Sequence, residues 1–348
     1  MADDIELAPY TAADVGVHAA DTDLIEEKVP TSFGNVIVGI SGDRKKRALI
    51  TFHDLGLNAN SCFQSFFQFS EMSSLSDKFC IYHINAPGQE DDAEPLPENF
   101  VFPTMDALAE AVESVVEHFG IKAFIGLGVG AGANVLVRYA LNNPKKVDGL
   151  ILINCVVTAA GWIEWGYQKV NSNYLRNRGV TAFTVDYLMW HHFGKRMESC
   201  NQDMVTSYRQ YFSRLANPTN LAMFIDSYLY RTAVPITREG TTLECPVLQM
   251  VGGNSGFIEE SVDLNSKLNP QNSDWIKVSD SSGLLLEDRP DKATEAILLF
   301  LQGLGYFPTL NHCKFVQSKR SYTLEPSSDT SPVASLQSSL AAADYDPA

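Results

Sequence analysis

Short apolar segments rich in β-branched residues alternate with helix-length amphipathic segments, and this alternation is what most constrains the fold. Most of the short segments are apolar throughout, as expected for strands covered on both faces by helices. Helical patterns occupy 105–118, 131–141 and 292–302. The sequence therefore predicts a doubly wound, mostly parallel sheet. The predicted strands are a hairpin formed by "EEKVPTS" and "NVIVGI", followed by 47–52, 79–84, 122–127, 149–154, 245–251 and 275–279.

One connection is much longer than the others. About ninety residues separate the strand ending at Asn154 from the strand starting at Cys245, whereas a simple crossover needs about a dozen. This segment is helical in pattern and aromatic, as in "GWIEWGYQKV" and "TVDYLMWHHFG". We predict an inserted helical cap at about 158–240, with the Trp and Tyr side chains of "GWIEWGY" covering the mouth of the sheet.

The two ends of the chain lack the patterns of a folded core. Residues 1–27 contain no Lys or Arg, and residues 311–348 are rich in Ser, Thr, Ala and Pro. We therefore predict an acidic flexible lead-in at 1–27, an α/β domain at 28–310 and a disordered tail at 311–348. In the tail, Lys319 and Arg320 precede two candidate phosphorylation sites, with a plain solvated linker as the alternative. These candidates are Ser321 and Thr323.

Charge and composition argue against several classes of function. The 348 residues carry a formal net charge of −16 and no basic stripe, which argues against binding to a nucleic acid backbone. No apolar run approaches the ~20 residues of a membrane span, and the first residues lack the pattern of a signal peptide. The six cysteines are scattered without a C-x-x-C pair, which favours reduced thiols over a disulfide framework or a zinc site. We predict a cytoplasmic protein without a transmembrane segment.

A glycine cluster, "GVGAG" at 128–132, follows a central predicted strand and opens a predicted helix. A hairpin, a parallel sheet, such an elbow and a later cap are together typical of the α/β-hydrolase fold, whose elbow reads G-x-S-x-G. The flanking glycines of the elbow are present here. The nucleophile position, however, is Gly130, which has no side chain.

The other two triad positions follow from chain order. The acid should come just after strand 245–251, but that loop reaches Asn254 without a carboxylate. The histidine should come after strand 275–279, where Leu284 takes its place. We therefore predict that the three triad positions, Gly130, Asn254 and Leu284, are vacant and that the protein is not an enzyme.

The oxyanion step is also altered. Hydrolases usually place His-Gly after the third strand, but this chain reads His53-Asp54. If the Asp54 carboxylate faces the site, it would repel a developing oxyanion about 5 Å away by roughly 3 kcal/mol at an effective dielectric of 20. The alternative is that Asp54 caps the loop or the following helix through backbone N–H groups.

Other candidate chemistry is weaker. Residues 128–133 fit a relaxed dinucleotide fingerprint, but they follow a mid-sheet strand, and Asp148 precedes the next strand instead of ending it, where it could reach a ribose. Cys155 has no histidine placed to activate it, which favours a buried structural thiol. His191 and His192 are adjacent and would point about 100° apart on a helix, which favours packing in the cap over a shared metal. We predict no cofactor and no metal.

The sequence resembles the N-myc downstream-regulated (NDRG) family from about residue 27 to residue 308. The resemblance rests on the ordered combination of "TFHDLGLNANSCF", "INAPGQEDDA", "GLGVGAGANVLVRYALNNPKKVDGLILIN", "GWIEW", "NSKLNP" and "LQGLGYFP". It implies a hydrolase fold without hydrolytic activity, in a cytoplasmic protein linked to signalling, stress response, growth and differentiation. It also implies a phosphorylated tail, although the repeated decapeptides of some members are absent. A further departure is Gly253, where the family tends to carry Asp.

Three hypotheses for the function follow. The first is a non-catalytic scaffold or adaptor with protein partners. The second is a receptor that binds a small molecule or a lipid in the capped pocket. The third is a hydrolase with a non-standard site built from His53, Asp54 and Cys155.

Overall fold

The computed structural model describes residues 24–69 and 72–307. Its centre is an eight-stranded sheet with the strand order β1-β2-β4-β3-β5-β6-β7-β8. The hairpin β1–β2 is antiparallel, and β2 pairs with β4 in the same sense. The six strands β3 to β8 are parallel to one another. The strands are β1 Ile25–Thr31, β2 Gly34–Ser41, β3 Arg47–Phe52, β4 Phe79–Ile84, β5 Phe124–Val129, β6 Val147–Ile153, β7 Val247–Gly252 and β8 Ser273–Val278.

This sheet confirms the predicted fold class, and the predicted strands match the observed ones to within a few residues. Strands β3 to β7 are nearly all buried along their length, because helices cover both faces of a doubly wound sheet. Strand β1 begins at Ile25, inside the range assigned to the lead-in. Residues 1–23 and the tail with Ser321 and Thr323 lie outside the described residues, so those assignments remain predictions.

Helices fill both faces of the sheet and the long connection. The predicted helices at 105–118, 131–141 and 292–302 correspond to α3, α4 and α11. Each of these helices buries its apolar positions, as in α3, where seven of fourteen residues are buried. The helices are α1 Ala59–Gln68, α2 Ser73–Ser76, α3 Met105–His118, α4 Ala131–Asn142, α5 Trp162–Arg178, α6 Ala182–Phe193, α7 Gln202–Ser213, α8 Pro218–Leu229, α9 Ile258–Lys267, α10 Leu285–Asp288 and α11 Pro290–Gly303.

The predicted helical insertion is present as the four helices α5 to α8 between β6 and β7. Helix α6 begins after Thr181, whose side chain accepts the N–H of Thr184. It ends at Gly194, whose φ of +81° gives the left-handed turn that terminates a helix. Its last turn carries His191 and His192, which are both buried. The cap therefore brings two imidazole rings to a buried position.

The orientation of α5 differs from the prediction. The aromatic residues at its start do not cover the sheet: Trp162 is 91% exposed, and Trp165 and Tyr167 are also exposed. The buried positions of this helix include Gln168 and Asn171 instead. Since aromatic residues usually mark the buried side of an amphipathic helix, the sequence pattern pointed to the wrong face.

Cysteines and membrane-spanning helices can be assessed over the described part of the chain. The five cysteines there are free thiols, in agreement with the prediction, while Cys313 lies beyond residue 307. Within the same residues, no helix has the length and apolar character needed to cross a bilayer.

Candidate functional site

The glycine cluster forms a tight strand-to-helix elbow at the carboxyl end of β5. Gly130 has φ +51° and ψ −111°, a backbone conformation that residues other than glycine rarely adopt. The neighbouring Gly132 lies against the backbone of β3, and a Cβ there would sit 2.1 Å from the carbonyl oxygen of Phe52. The elbow is therefore retained for close packing of α4 on the sheet.

The Asp54 side chain occupies the space above the elbow. A Cβ placed on Gly130 would lie 2.1 Å from the carboxylate carbon of Asp54. Asp54 follows β3, which is hydrogen-bonded to β5, so the carboxyl ends of two adjacent parallel strands bring the residues together. The volume that a nucleophile side chain would need is filled by this carboxylate.

The same carboxylate accepts two backbone N–H groups. Oδ1 of Asp54 lies 2.8 Å from the amide nitrogen of Leu55 and 2.9 Å from that of Ala131. Ala131 directly follows the elbow apex, and Leu55 lies in the loop after β3; in hydrolases these two places supply the oxyanion donors. Asp54 therefore faces the site, as in the first sequence-based alternative, and binds the N–H of Leu55 in its own loop, as in the second. The helix that it contacts is α4, however, and not the following helix α1, which is capped by Asn58.

The second carboxylate oxygen is bound by the cap. Nε2 of His191 donates to Oδ2 of Asp54 at 2.8 Å, and both side chains are 2% exposed. Burial by itself raises the pKa of Asp54, but the charge and hydrogen bond of His191 and the amide of Ala131 outweigh it and lower the pKa to about 2. Asp54 is thus a buried carboxylate that stays ionised at neutral pH.

Two further imidazoles bind the loop backbone. His192 donates from Nε2 to the carbonyl oxygen of Leu55 at 2.9 Å. His53 donates from Nδ1 to the carbonyl oxygen of Asp54 at 2.8 Å and accepts the N–H of Ala86 at Nε2. Burial lowers the pKa of each ring to about 4. Both rings are neutral at pH 7, and both nitrogens of His53 are engaged in holding the loop.

The predicted acid position holds an amide that binds the cap. Oδ1 of Asn254 accepts from Arg196 at 2.9 Å, and its Nδ2 donates to Oγ of Ser199 at 3.1 Å. The preceding Gly253 has no room for a side chain, since a Cβ would lie 2.4 Å from the carbonyl oxygen of Ser279. The aspartate that the family tends to carry there would not fit this backbone.

The predicted histidine position is apolar. Leu284 is buried and directly precedes α10. The nearest acid along the chain is Glu287, which accepts a hydrogen bond from Tyr208 and whose pKa burial raises to about 6. The imidazole that reaches the elbow comes instead from α6.

The remaining candidates of the sequence lie in structural roles. Cys155 is buried, which raises the pKa of its thiol to about 12, so the thiolate needed for nucleophilic attack is not formed at neutral pH. Asp148 is the second residue of β6 and accepts a hydrogen bond from Tyr306 at 2.6 Å. It therefore stands at the opposite end of the strand from the elbow.

A comparison with known sequences matches the profile of the Ndr family to residues 26–308. The chain belongs to the Ndr family. Protein NDRG3 of Xenopus laevis is 38% identical over 325 residues, which cover 90% of this chain and 85% of that protein. Protein NDRG1 of Xenopus tropicalis is 36% identical over 301 residues, which cover 84% and 74%. The predicted family is confirmed.

Solved structures similar to this Ndr-family chain are α/β-hydrolases. A thermophilic esterase from Thermogutta terrifontis superposes with a TM-score of 0.66 at 18% identity, covering 80% of this chain and 99% of the esterase. A hydrolase from Pseudomonas aeruginosa gives 0.64 at 16% identity, covering 82% and 99%. At such low identity the likeness establishes the fold alone.

Sequence reasoning missed the contact between Asp54 and His191 in this Ndr-family chain. The side chains of adjacent residues leave a helix about 100° apart, and the sequence therefore argues against a common site for His191 and His192. Their ring centroids nevertheless lie 4.9 Å apart. The rings converge because their acceptors, Asp54 and the Leu55 carbonyl, are also adjacent. The "HH" pair was the only signal for this contact, and it became meaningful only with the cap folded over the elbow.

Proposed function

We propose that this Ndr-family protein is a non-enzymatic scaffold or adaptor in cytoplasmic signalling and the stress response. The observation that carries the proposal is the position of the Asp54 carboxylate, which fills the space above Gly130 and accepts the N–H groups of Leu55 and Ala131. Acyl transfer needs these two places for a nucleophile and for a developing oxyanion. Here one ionised side chain holds both.

The charge of Asp54 opposes catalysis in addition to the space that its side chain fills. A developing oxyanion about 5 Å from the Asp54 charge would be repelled by roughly 3 kcal/mol at an effective dielectric of 20. This is about the stabilisation that one oxyanion donor supplies. His53, the nearest neighbour along the chain, has both ring nitrogens on the backbone, so it is not free to act as a general base.

The proposal predicts an absence of turnover that a restored serine does not repair. Gly130→Ser places a side chain on the Asp54 carboxylate, and a hydroxyl without a base is a poor nucleophile at neutral pH. We expect hydrolysis of p-nitrophenyl acetate by the wild-type chain and by Gly130→Ser to equal that of the heat-unfolded protein. Turnover or a burst of acyl-enzyme that disappears on unfolding would contradict the proposal.

The surface of α5 offers a place for a protein partner. Trp162 and Trp165 are three residues apart, on one side of this helix, and both are exposed, with Trp162 91% accessible. Tyr167 points to another side and stacks on Phe183 of α6. Exposed apolar clusters mark interaction sites more often than scattered apolar residues do, and tryptophan is enriched among the residues that dominate binding energy. We therefore assign partner binding to this aromatic face of α5.

Loss of the aromatic face should remove partner binding without unfolding the protein. For the double variant Trp162→Ser, Trp165→Ser we expect proteins captured from extract by the wild-type chain to be lost, with the free energy of unfolding changed by about 0.5 kcal/mol or less. Leu299→Ser, an exposed apolar position on α11, is the matched control and should capture the wild-type set. Capture of an identical set by the double variant would exclude this face.

A receptor for a small molecule or lipid is the second candidate function, and buried polar atoms of the cap favour it. Among the residues that the structure describes, both polar atoms of the Asn171 side chain and Oε1 of Gln168 on α5 find no hydrogen-bond partner, nor does the hydroxyl of Tyr228 on α8. Each unpartnered buried group costs about 1 to 3 kcal/mol. A ligand with hydrogen-bonding groups between α5 and α8 would recover this energy.

The receptor function predicts a ligand-dependent melting temperature. A ligand at about 100 times its Kd stabilises the folded state by about 2.7 kcal/mol, so we expect a hit in a thermal-shift screen of metabolites and lipids. Asn171→Leu should abolish the shift. Asn177→Leu, an exposed position on the same helix, should keep it. A screen without any stabilising compound would rule out the receptor.

A further inference from the structure

We propose that Asp54, His191 and His192 form a binding site for a divalent transition metal of the zinc type. One oxygen of Asp54 and one ring nitrogen of each histidine lie within 4.8 Å of one another, and all three side chains are buried. Within residues 24–69 and 72–307, this is the only group of three or more His, Cys, Asp or Glu side chains that converges in this way. The site is separate from the partner and ligand surfaces proposed above.

The spacing is close to that of a metal centre. Zinc binds histidine nitrogen and carboxylate oxygen at about 2.0 to 2.2 Å, which puts tetrahedral ligand atoms roughly 3.3 Å apart. Oδ2 of Asp54 and Nε2 of His191 are 2.8 Å apart. They would have to separate by about half an ångström to admit an ion in place of the proton that they share. The widest separation in the cluster, at most 4.8 Å, would have to shrink by up to about 1.5 Å to reach the same spacing.

The surroundings hold the ligands as they are held around metals in proteins. Oδ1 of Asp54 is fixed by the N–H groups of Leu55 and Ala131, which leaves Oδ2 as a single oriented donor. Nε2–H of His192 is fixed on the carbonyl oxygen of Leu55, which sets the tautomer with its lone pair on Nδ1. Such outer hydrogen bonds orient ligands and fix the tautomers of metal-binding histidines.

The donor set also selects the ion. Two imidazoles and one carboxylate suit zinc, cobalt or nickel, whereas calcium and magnesium require oxygen-rich sites. A tetrahedral ion would keep one position for water or another small ligand. Since Asp54 belongs to the loop after β3 and both histidines to α6, the ion would join the cap to the sheet and stabilise their contact.

Metal binding to the full chain tests the proposal. The chain is first stripped with a chelator and then titrated with ZnCl₂ or CoCl₂, with bound metal per chain and melting temperature as readouts. We expect one equivalent, a rise in melting temperature and the intense visible absorption of tetrahedral cobalt. His191→Gln and His192→Gln should each weaken binding at least tenfold. The absence of binding by the wild-type chain would overturn the proposal.

Control variants separate this site from other donors. His83→Gln removes a buried histidine outside the cluster, and the double variant His312→Gln, Cys313→Ser removes donors beyond residue 307; both should keep one equivalent. If a cluster variant does not fold, X-ray absorption of the zinc-loaded wild-type chain decides, because nitrogen and oxygen ligands alone are expected. A sulfur ligand, or loss of the ion in a control variant, would overturn the site. None of these measurements involves turnover or partner binding, so a failure of the metal site would leave the proposed adaptor function untouched.

Discussion

Replacing Asp54 by Ala should lower the free energy of unfolding by about 3 to 5 kcal/mol, because three buried donors lose a charged acceptor and each buried unsatisfied donor costs about 1 to 3 kcal/mol. The change leaves His191 buried without its acceptor, and it leaves the N–H groups of Leu55 and Ala131 without theirs. Urea denaturation at pH 7, followed by circular dichroism, measures the loss. We therefore expect Asp54, although it lies at the position of a hydrolase active site, to stabilise the fold.

The matched control is an exposed pair of equal length. Asp186 and Arg209 lie 2.8 Å apart on the surface, the same separation as in the pair of Asp54 and His191. Exposed pairs contribute about 0 to 1 kcal/mol, so Asp186→Ala should barely change the urea midpoint. Equal small losses for Asp54→Ala and Asp186→Ala would show that the buried pair does not stabilise the fold.

The sheet could be predicted from the sequence because its strands are covered on both faces. A strand such as β3 or β5 is apolar at almost every position, and this pattern depends only on neighbouring residues. The elbow was recognisable for a similar reason. Gly128 lies against the backbone of α4, Gly130 has a positive φ, and Gly132 lies against the backbone of β3. Their spacing is a local signature.

The site was only half predictable because its contacts are not local. His53 and Asp54 were singled out from the oxyanion step, but His191 is 137 residues further along the chain. Nothing near either residue encodes this meeting, which depends on how the cap folds over the elbow. An aspartate in such a loop can repel an anion, cap a helix or pair with a histidine, and the residue that the tertiary structure brings next to it decides which of these it does.

The face of α5 was mispredicted for a different reason. Periodicity identifies a helix but identifies its buried side only if apolar residues are buried. In α5 the aromatic side chains are outside and two amides are inside. Such an inversion costs stability, so it is expected where a surface or a pocket serves a function. This is the physical link between the failed prediction and the two functions proposed for the cap.

Acidification should unfold this protein through its buried histidines. Burial lowers the pKa of His53, His83 and His192 to about 4 in the folded state, whereas an unfolded histidine has a pKa near 6.5. The unfolded state therefore binds more protons between these values. The stability associated with the neutral rings is fully present above about pH 6.5 and is lost as the pH falls towards about 4.

The expected loss is large. From pH 7 to pH 5 each of the three histidines costs roughly 2 kcal/mol. Glu287 has the opposite sign, because burial raises its pKa to about 6; its protonation at pH 5 returns roughly 1 kcal/mol. Asp54, with a pKa of about 2, stays ionised in the folded state over this range and loses its contribution only below about pH 4. We expect a net loss on the order of 5 kcal/mol at pH 5.

Urea unfolding at pH 7 and pH 5 measures this loss directly, and one variant assigns it to the histidines. His83 contacts Thr51 through Nδ1 at 2.7 Å and lies outside the Asp54 cluster. Because glutamine does not titrate, His83→Gln should reduce the difference between the two pH values by about 2 kcal/mol, whatever its effect at pH 7. Equal unfolding free energies for the wild-type chain at both pH values would mean that these rings take up protons as readily in the folded chain as in the unfolded one, and the neutral, loop-binding role of His53 and His192 would then be wrong.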